Sequence, residues 1–214
     1  MHNLENKVVS PSEEKKVEKK HFKFTWKSFF FSFIWLFVLM LALDIASKWL
    51  VQLNCKVDSP IAVIPGFFYI ALSYNTGAAG GTGAGILGMR IFYAVISWVM
   101  SLAFIFYFVK HLKDHNSWMN SILMLCLSGA VGNLIDRTFY FESTIGVKGA
   151  GVIDFLQFYL LGADGQRVTW INPFPTFNVA DACLTIGIIS LFVYLLVEAI
   201  KAKKADKAKE DSDE

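Results

Sequence analysis

Three acidic side chains stand at or near the ends of long uncharged runs, where ionisable groups are costly and usually functional, and a fourth lies in the loop between two of those runs. Asp44 and Lys48 are four residues apart and therefore share one face of a helix. Asp136 is followed directly by Arg137, Asp181 has Asn178 three residues before it, and Asp154 lies in the loop between these two groups. Carboxyls so placed could exchange protons with a substrate or carry an ion. Each could also merely offset a helix dipole, or snorkel beside a cation. Four acids gathered at one depth and on one side point instead to a polar site at a membrane surface.

The elements that must position them are apolar. The chain has 214 residues, 55% hydrophobic and 18% charged, with 20 Phe and a mean hydropathy of +0.47. Soluble domains carry nearer a quarter charged residues. No charged side chain occurs between Lys27 and Asp44, between Ile91 and Val109, or between Asn116 and Ile135. Val179 to Ile200 is broken only by Asp181 and Glu198. Each run approaches the ~20 residues that cross a ~30 Å hydrocarbon core, and none has the polar stripe of a helix at a soluble surface. The expectation is an all-α membrane protein of four transmembrane helices over residues 28–200, with a small β-rich extracytoplasmic element from the two outer loops. Charged tails flank it at 1–27 and 201–214, and outer loops fall at about 51–89 and 136–177. A net charge of +2 gives no case for nucleic acid.

Lysine and arginine fix the expected orientation. Fourteen of the 20 cations lie before the first run, between the second and third, or after the fourth, which places both termini and the middle loop in the cytoplasm. The first run is expected to be retained: it is too long for a signal-peptide core and no small-residue cleavage site follows it. Both tails are charge-rich and are expected to be disordered, with lysines available to anionic lipid heads. In the first outer loop, residues 61–74 are apolar and rich in β-branched and aromatic residues around Pro65-Gly66, and predict two short strands and a turn. The glycine-rich stretch from Gly77 to Gly85 lacks the Gly-Lys-Ser/Thr of a phosphate loop. Cys55, Cys126 and Cys183 form no disulfide framework and no metal-ligand spacing, so no cofactor is expected and a zinc protease finds no support.

Five ordered blocks then become specific. Gly129-Ala-Val-Gly-Asn-Leu-Ile-Asp-Arg137, Val152-Ile-Asp-Phe155 and Phe177-Asn-Val-Ala-Asp181, preceded by Asp44-Ile-Ala-Ser-Lys48 and Asn75-Thr-Gly-Ala-Ala79, resemble the lipoprotein signal peptidases, or signal peptidase II. The resemblance spans roughly residues 43–187. It implies a bacterial inner-membrane aspartic endopeptidase that cuts prolipoproteins just N-terminal to a diacylglyceryl-modified Cys, is blocked by globomycin, and works as a monomer among membrane lipids. It also implies a catalytic pair, Asp154 and Asp181, and substrate-site or supporting roles for Asp44, Lys48, Asn75, Gly129, Asn133, Asp136, Arg137 and Asn178. Two departures bear on the outer lid. Gly80 stands where the family usually has Phe, and the link 138–151 is longer than usual. The rival reading is a small ion- or proton-coupled transporter, which would more often hold its acids at mid-membrane on broken helices.

The charge distribution makes a topological prediction. In a Cys55→Ser background, single cysteines at positions 58 and 164 should react with a membrane-impermeant thiol reagent added outside intact spheroplasts. A cysteine at position 113 should react only once the membrane is opened. Labelling in the reverse pattern would invert the orientation.

Overall fold

A computed structural model describes residues 30, 32–77, 83, 86–111, 116–139, 151–162 and 172–213. The N-terminal tail, most of the glycine-rich stretch and the 140–150 segment lie outside the described residues. Four helices are long and apolar enough to cross a membrane. They are α1 (Ile34–Asn54), α2 (Leu87–His111), α3 (Ser117–Phe139) and α4 (Val179–Asp213). Helices suit lipid because every backbone N–H and C=O is satisfied within the segment. A three-stranded antiparallel sheet in the order β1-β2-β3 accompanies them. Its strands are β1 (Ile61–Ile64), β2 (Phe68–Asn75) and β3 (Val152–Phe158).

Burial ranks the helices. Of α3's apolar stretch 72% is buried, against 11–17% for the other three, so α3 is the post around which they stand. Its Met119, Leu123, Cys126, Leu127 and Ala130 form a core with Phe104 and Phe108 of α2, with α1 and α4 side chains packed against it. The outward faces of the other helices are apolar too, as Trp49, Phe106 and Phe192 illustrate. In water such a surface would aggregate; in lipid it is the solvated face.

Glycine sets how closely the post meets α4. A Cβ at Gly129 would collide with the Ala180 carbonyl oxygen, and one at Gly187 would lie 2.6 Å from Cys126 Sγ. The helices therefore touch backbone to backbone. Gly132 makes room for a side chain of α1 instead, since a Cβ there would lie 2.6 Å from Asp44 Oδ2.

The strands β1 and β2 join through Pro65–Phe67, with Gly66 at a φ of 79° and the Phe67 amide donating to the Ile64 carbonyl at 3.0 Å. This is the hairpin read from the sequence. Two expectations need correction. The second outer loop supplies β3 to the expected β-rich element, and Asp154, expected in the loop, stands on that strand opposite Ser73 of β2. The signal was missing because its partner strand is some eighty residues distant, so no local turn announced the pairing. The tail from Lys201 is not disordered up to Asp213 but continues α4. Its Ala, Lys and Glu are strong helix formers with no Gly or Pro among them, and the formed helix above supplies the nucleus.

Gly129→Ala should lower the thermal unfolding midpoint of the detergent-purified chain, consistent with about 1–3 kcal/mol of overpacking. Gly88→Ala should leave it within a degree or two, because a Cβ there meets nothing within 4 Å.

Candidate active site

The α4 N-terminus begins the site. Asn178 caps the helix: its Oδ1 accepts the Asp181 amide at 2.8 Å, and Asp181 Oδ2 accepts the Asn178 amide at 3.2 Å. This reciprocal pairing is a capping box with Asn and Asp in its two places. The cap has a second task. Asn178 Nδ2 donates to Asp154 Oδ1 at 2.8 Å and to Asn133 Oδ1 at 3.1 Å. Asn133 Nδ2 in turn donates to Asp181 Oδ1 at 2.7 Å. Two amides thus link the two carboxylates, one borne on a strand and one on a helix.

Asp154 is fixed from both edges of its strand. On one side, Asn75 lies two residues beyond Ser73 on β2, hence on the same face, and its Nδ2 donates to Asp154 Oδ2 at 3.1 Å. On the other, the Phe155 and Leu156 amides donate to the Phe177 carbonyl at 3.0 and 2.8 Å. That short bridge ties β3 to the residue just before the cap. The Asp154 carboxyl is only 2% exposed. Burial, and next the neighbouring Asp181 carboxylate, push it up to about 7, so near neutral pH it holds its proton about half the time.

Beneath lies a buried ion cluster. Lys48 Nζ sits 2.6 Å from Asp44 Oδ2 and 2.8 Å from Asp136 Oδ2, with all three residues at most 3% exposed. Each acid also accepts a backbone amide: Asp44 Oδ1 that of Ala180 at 2.8 Å, and Asp136 Oδ2 that of Ile153 at 3.2 Å. Those amides immediately precede Asp181 and Asp154 in the chain. The cluster therefore bolts α1 and α3 to the two backbones that present the aspartates. Asp44 stands halfway along α1 rather than at its end, since the helix runs on to Asn54.

A cavity of about 630 Å³ opens beside the pair. Asp154, Asp181, Asn75 and Arg137 line it on one side, Phe174, Phe177, Leu184 and Ile186 on the other. Arg137 is aimed by α2: its Nη1 donates to the Tyr93 carbonyl at 3.2 Å and to Ser97 Oγ at 3.1 Å, and the guanidinium lies over the Tyr93 ring at 5.5 Å.

The ten residues singled out in the sequence thus gather in one region. Nine contribute polar side chains; Gly129 contributes the close approach of α3 to α4 instead. Sequence reasoning missed Gly132, Tyr93, Ser97 and the Phe174–Phe177 wall. It also missed Gly151, whose φ of 110° and contact with the Asn75 carbonyl admit no Cβ. Only the Gly-x-x-Gly spacing of 129 and 132 carried any signal. Among the described residues no group of three or more His, Cys, Asp and Glu could hold a metal ion.

A four-span helical membrane protein with a small sheet and a carboxylate-lined cavity at one end is the class that this geometry defines. Comparison with known proteins narrows it. The signal peptidase (SPase) II family model matches residues 36–197. A lipoprotein signal peptidase of Bacillus pumilus is 35% identical over 166 residues, 78% of this chain and 93% of that protein. One from Staphylococcus epidermidis is 32% identical over 167 residues, 78% and 90% of the two chains. Among solved structures, a bacterial membrane enzyme determined by the in meso method at 2.3 Å superposes with a TM-score of 0.61 at 30% identity, covering 78% of this chain and 88% of that one. The chain belongs to the signal peptidase II family, as its five motif blocks led us to expect.

Lys48→Met should destabilise the protein by about 3–5 kcal/mol, because it leaves two buried carboxylates without their shared cation. The triple change Asp44→Asn, Lys48→Met, Asp136→Asn, which removes all three charges, should recover part of that loss. Unfolding midpoints of the three proteins in one detergent check both statements.

Proposed function

We propose that this chain removes signal peptides from prolipoproteins as an aspartic endopeptidase, with Asp154 and Asp181 as its acid–base pair and the cut falling N-terminal to a diacylglyceryl-modified Cys. The observation that carries the reading is the amide bridge through Asn178 and Asn133, which couples two carboxyls from different elements at the edge of a large apolar cavity. Two carboxyls held together share a proton and so supply both an acid and a base. Peptide hydrolysis requires both. The ionised member takes a proton from water, which attacks the scissile carbonyl, and the protonated member passes its proton to the departing nitrogen. The raised affinity of Asp154 for its proton makes it the resting place of the shared one, although the titration belongs to the pair. Asn75, Asn133 and Asn178 hold the carboxyls in register, and the Asp44–Lys48–Asp136 cluster sets the backbones that carry them.

The surroundings suit a lipidated substrate. Phe174, Phe177, Leu184 and Ile186 give the cavity an apolar wall for acyl chains, and Ile186 is exposed on the face of α4 that meets lipid. Asp181 is the third residue of α4, and Lys201 stands twenty residues on, about 30 Å along the helix, or one hydrocarbon thickness. With the lysine-rich end in the cytoplasm, the pair lies near the outer leaflet, the depth at which a diacylglyceryl group anchors its Cys. Extracting two acyl chains into water is prohibitive at ~0.8 kcal/mol per CH₂, so the substrate enters sideways from the bilayer.

Asp154→Asn and Asp181→Asn should each reduce cleavage of a lipidated prolipoprotein by at least about 10³-fold while leaving a membrane-inserted protein of normal elution volume. Asp58→Asn is the control: Asp58 has a φ of 63°, which Asn tolerates, and it should cut at near wild-type rate. Near-normal turnover by either dyad variant sinks the assignment.

The pH profile offers a separate check. The monoprotonated pair is the working form, so turnover should fall as pH rises through about 7 and Asp154 gives up its proton. The linkage has the same sign. A carboxyl whose affinity for its proton is raised on folding contributes stability at pH below its unfolded value near 3.9, and that contribution is lost as pH rises to about 7. A rate that climbs steadily from pH 6 to pH 9 would contradict the shared proton.

A further inference from the structure

A second cavity, of about 710 Å³, lies at the end of the bundle away from the aspartates, between the first half of α3 and the middle turns of α4. Its deeper wall is apolar and includes Ile122, Leu125, Ile189 and Val193; its mouth is polar, with Asn116, Ser121, Tyr194 and Lys201. Asn116 is built into the frame at this mouth. Its Oδ1 accepts the Met119 amide at 3.1 Å, capping α3, and its Nδ2 donates to Tyr194 Oη across to α4 at 2.5 Å. Trp118 stands beside it, 77% exposed, as aromatic rings do at a membrane interface.

Depth separates the candidate occupants. From Lys201 back to Ile189 is twelve residues, about 18 Å of helix, and from Asn116 to Leu125 is about 14 Å. That is one leaflet of a ~30 Å core and no more. Beyond Leu125 and Ile189 the helices close on one another at Gly129 and Gly187. A peptide helix crossing the whole bilayer would need the groove to continue, whereas an acyl chain ends where this groove ends. Charge then selects the head. Lys201 and Glu198 both line the mouth, and Lys203, Lys204 and Lys207 follow Lys201 within two turns of the same helix, with Asp206 and Glu210 the acids near them. Lys201 Nζ is paired to Glu198 at 2.9 Å, but that pair is widely exposed, the lysine side chain at 68%, and exposed pairs hold their partners weakly.

We propose that this groove is a binding site for an anionic glycerophospholipid. One acyl chain lies along Leu125, Ile189 and Val193. The phosphate meets Lys201, and the hydroxyls of Ser121 and Tyr194 stand at the level of the glycerol. The site is independent of the proposed dyad, and its occupant is a resident lipid rather than the substrate. By tying the capped start of α3 to α4, the bound lipid braces the post that carries Asn133 and Asp136 at its other end.

Native mass spectrometry of the full chain, stripped of lipid in a mild detergent, tests this. Phosphatidylglycerol and phosphatidylcholine of identical chains are added at equal concentration, and glycerophosphate alone serves as the headgroup arm. The expected result is at least about threefold more phosphatidylglycerol than phosphatidylcholine adduct, with no glycerophosphate adduct at the same concentration. Lys201→Gln should bring the two lipids to parity. Ser190→Trp, which fills the groove from α4, should reduce retention of both, and Ser121→Leu on α3 does the same task if the first variant fails to fold. Equal binding of the two lipids by the unaltered chain would overturn the proposal. So would a preference that survives Lys201→Gln, since it would place the lipid on the lysines beyond the groove. Binding of glycerophosphate alone would replace a lipid site by a phosphate site.

Discussion

Everything at the sheet end of this molecule hangs on one buried cation. Lys48 lies between the carboxylates of Asp44 and Asp136 at 2.6 and 2.8 Å, and each of those acids reaches past it to a backbone amide. Removed from water, the three charges are tolerable only because every one is paired and hydrogen-bonded. That requirement leaves α1, α3, β3 and the start of α4 little freedom to move independently. A charge cluster that merely held helices together could have been replaced by leucines. This one grips Ala180 and Ile153, so the residues next in the chain, Asp181 and Asp154, are delivered to fixed places.

The same economy governs the layer above. Asn178 is a helix cap, and caps are common; here the cap's amide nitrogen is turned across the helix end to Asp154 and Asn133. A residue that had to be present to satisfy a helix terminus also joins the two aspartates. Asn133 completes the bridge from α3. The close approach that makes this reach possible comes from Gly129 and Gly132, where any side chain would push α3 away from α4 or α1. Packing at glycine and hydrogen bonding at asparagine are therefore one design, since neither works at the spacing that the other would impose.

The opposite end of the bundle is built by different physics. There Asn116 reaches across from α3 to Tyr194 of α4, beside an open groove and a helix that runs on past the hydrocarbon as a lysine-rich rod. Apolar length and a band of cations hold that end at its membrane surface, whereas the sheet end is held by buried charge.

The sequence by itself determined the four spans, because a run of some twenty uncharged residues has few alternatives in water or lipid. It also determined the β1–β2 hairpin, where Pro65-Gly66 sits between two runs rich in β-branched and aromatic residues, and the family, because five polar blocks occur in order. The roster of site residues was legible for the same reason: all ten fall within those five blocks. Only the tertiary structure decided what each one does. Asp154 on a strand rather than in a loop, Lys48 as the shared partner of two acids, and Arg137 aimed by Tyr93 and Ser97 all depend on residues from about forty to about ninety positions apart. Periodicity reports one segment at a time, so pairings over such distances leave no local trace. The helical tail was misread for a related reason. Its composition resembles that of a disordered segment, and only the formed helix above it, which removes the nucleation cost, makes it continue to Asp213.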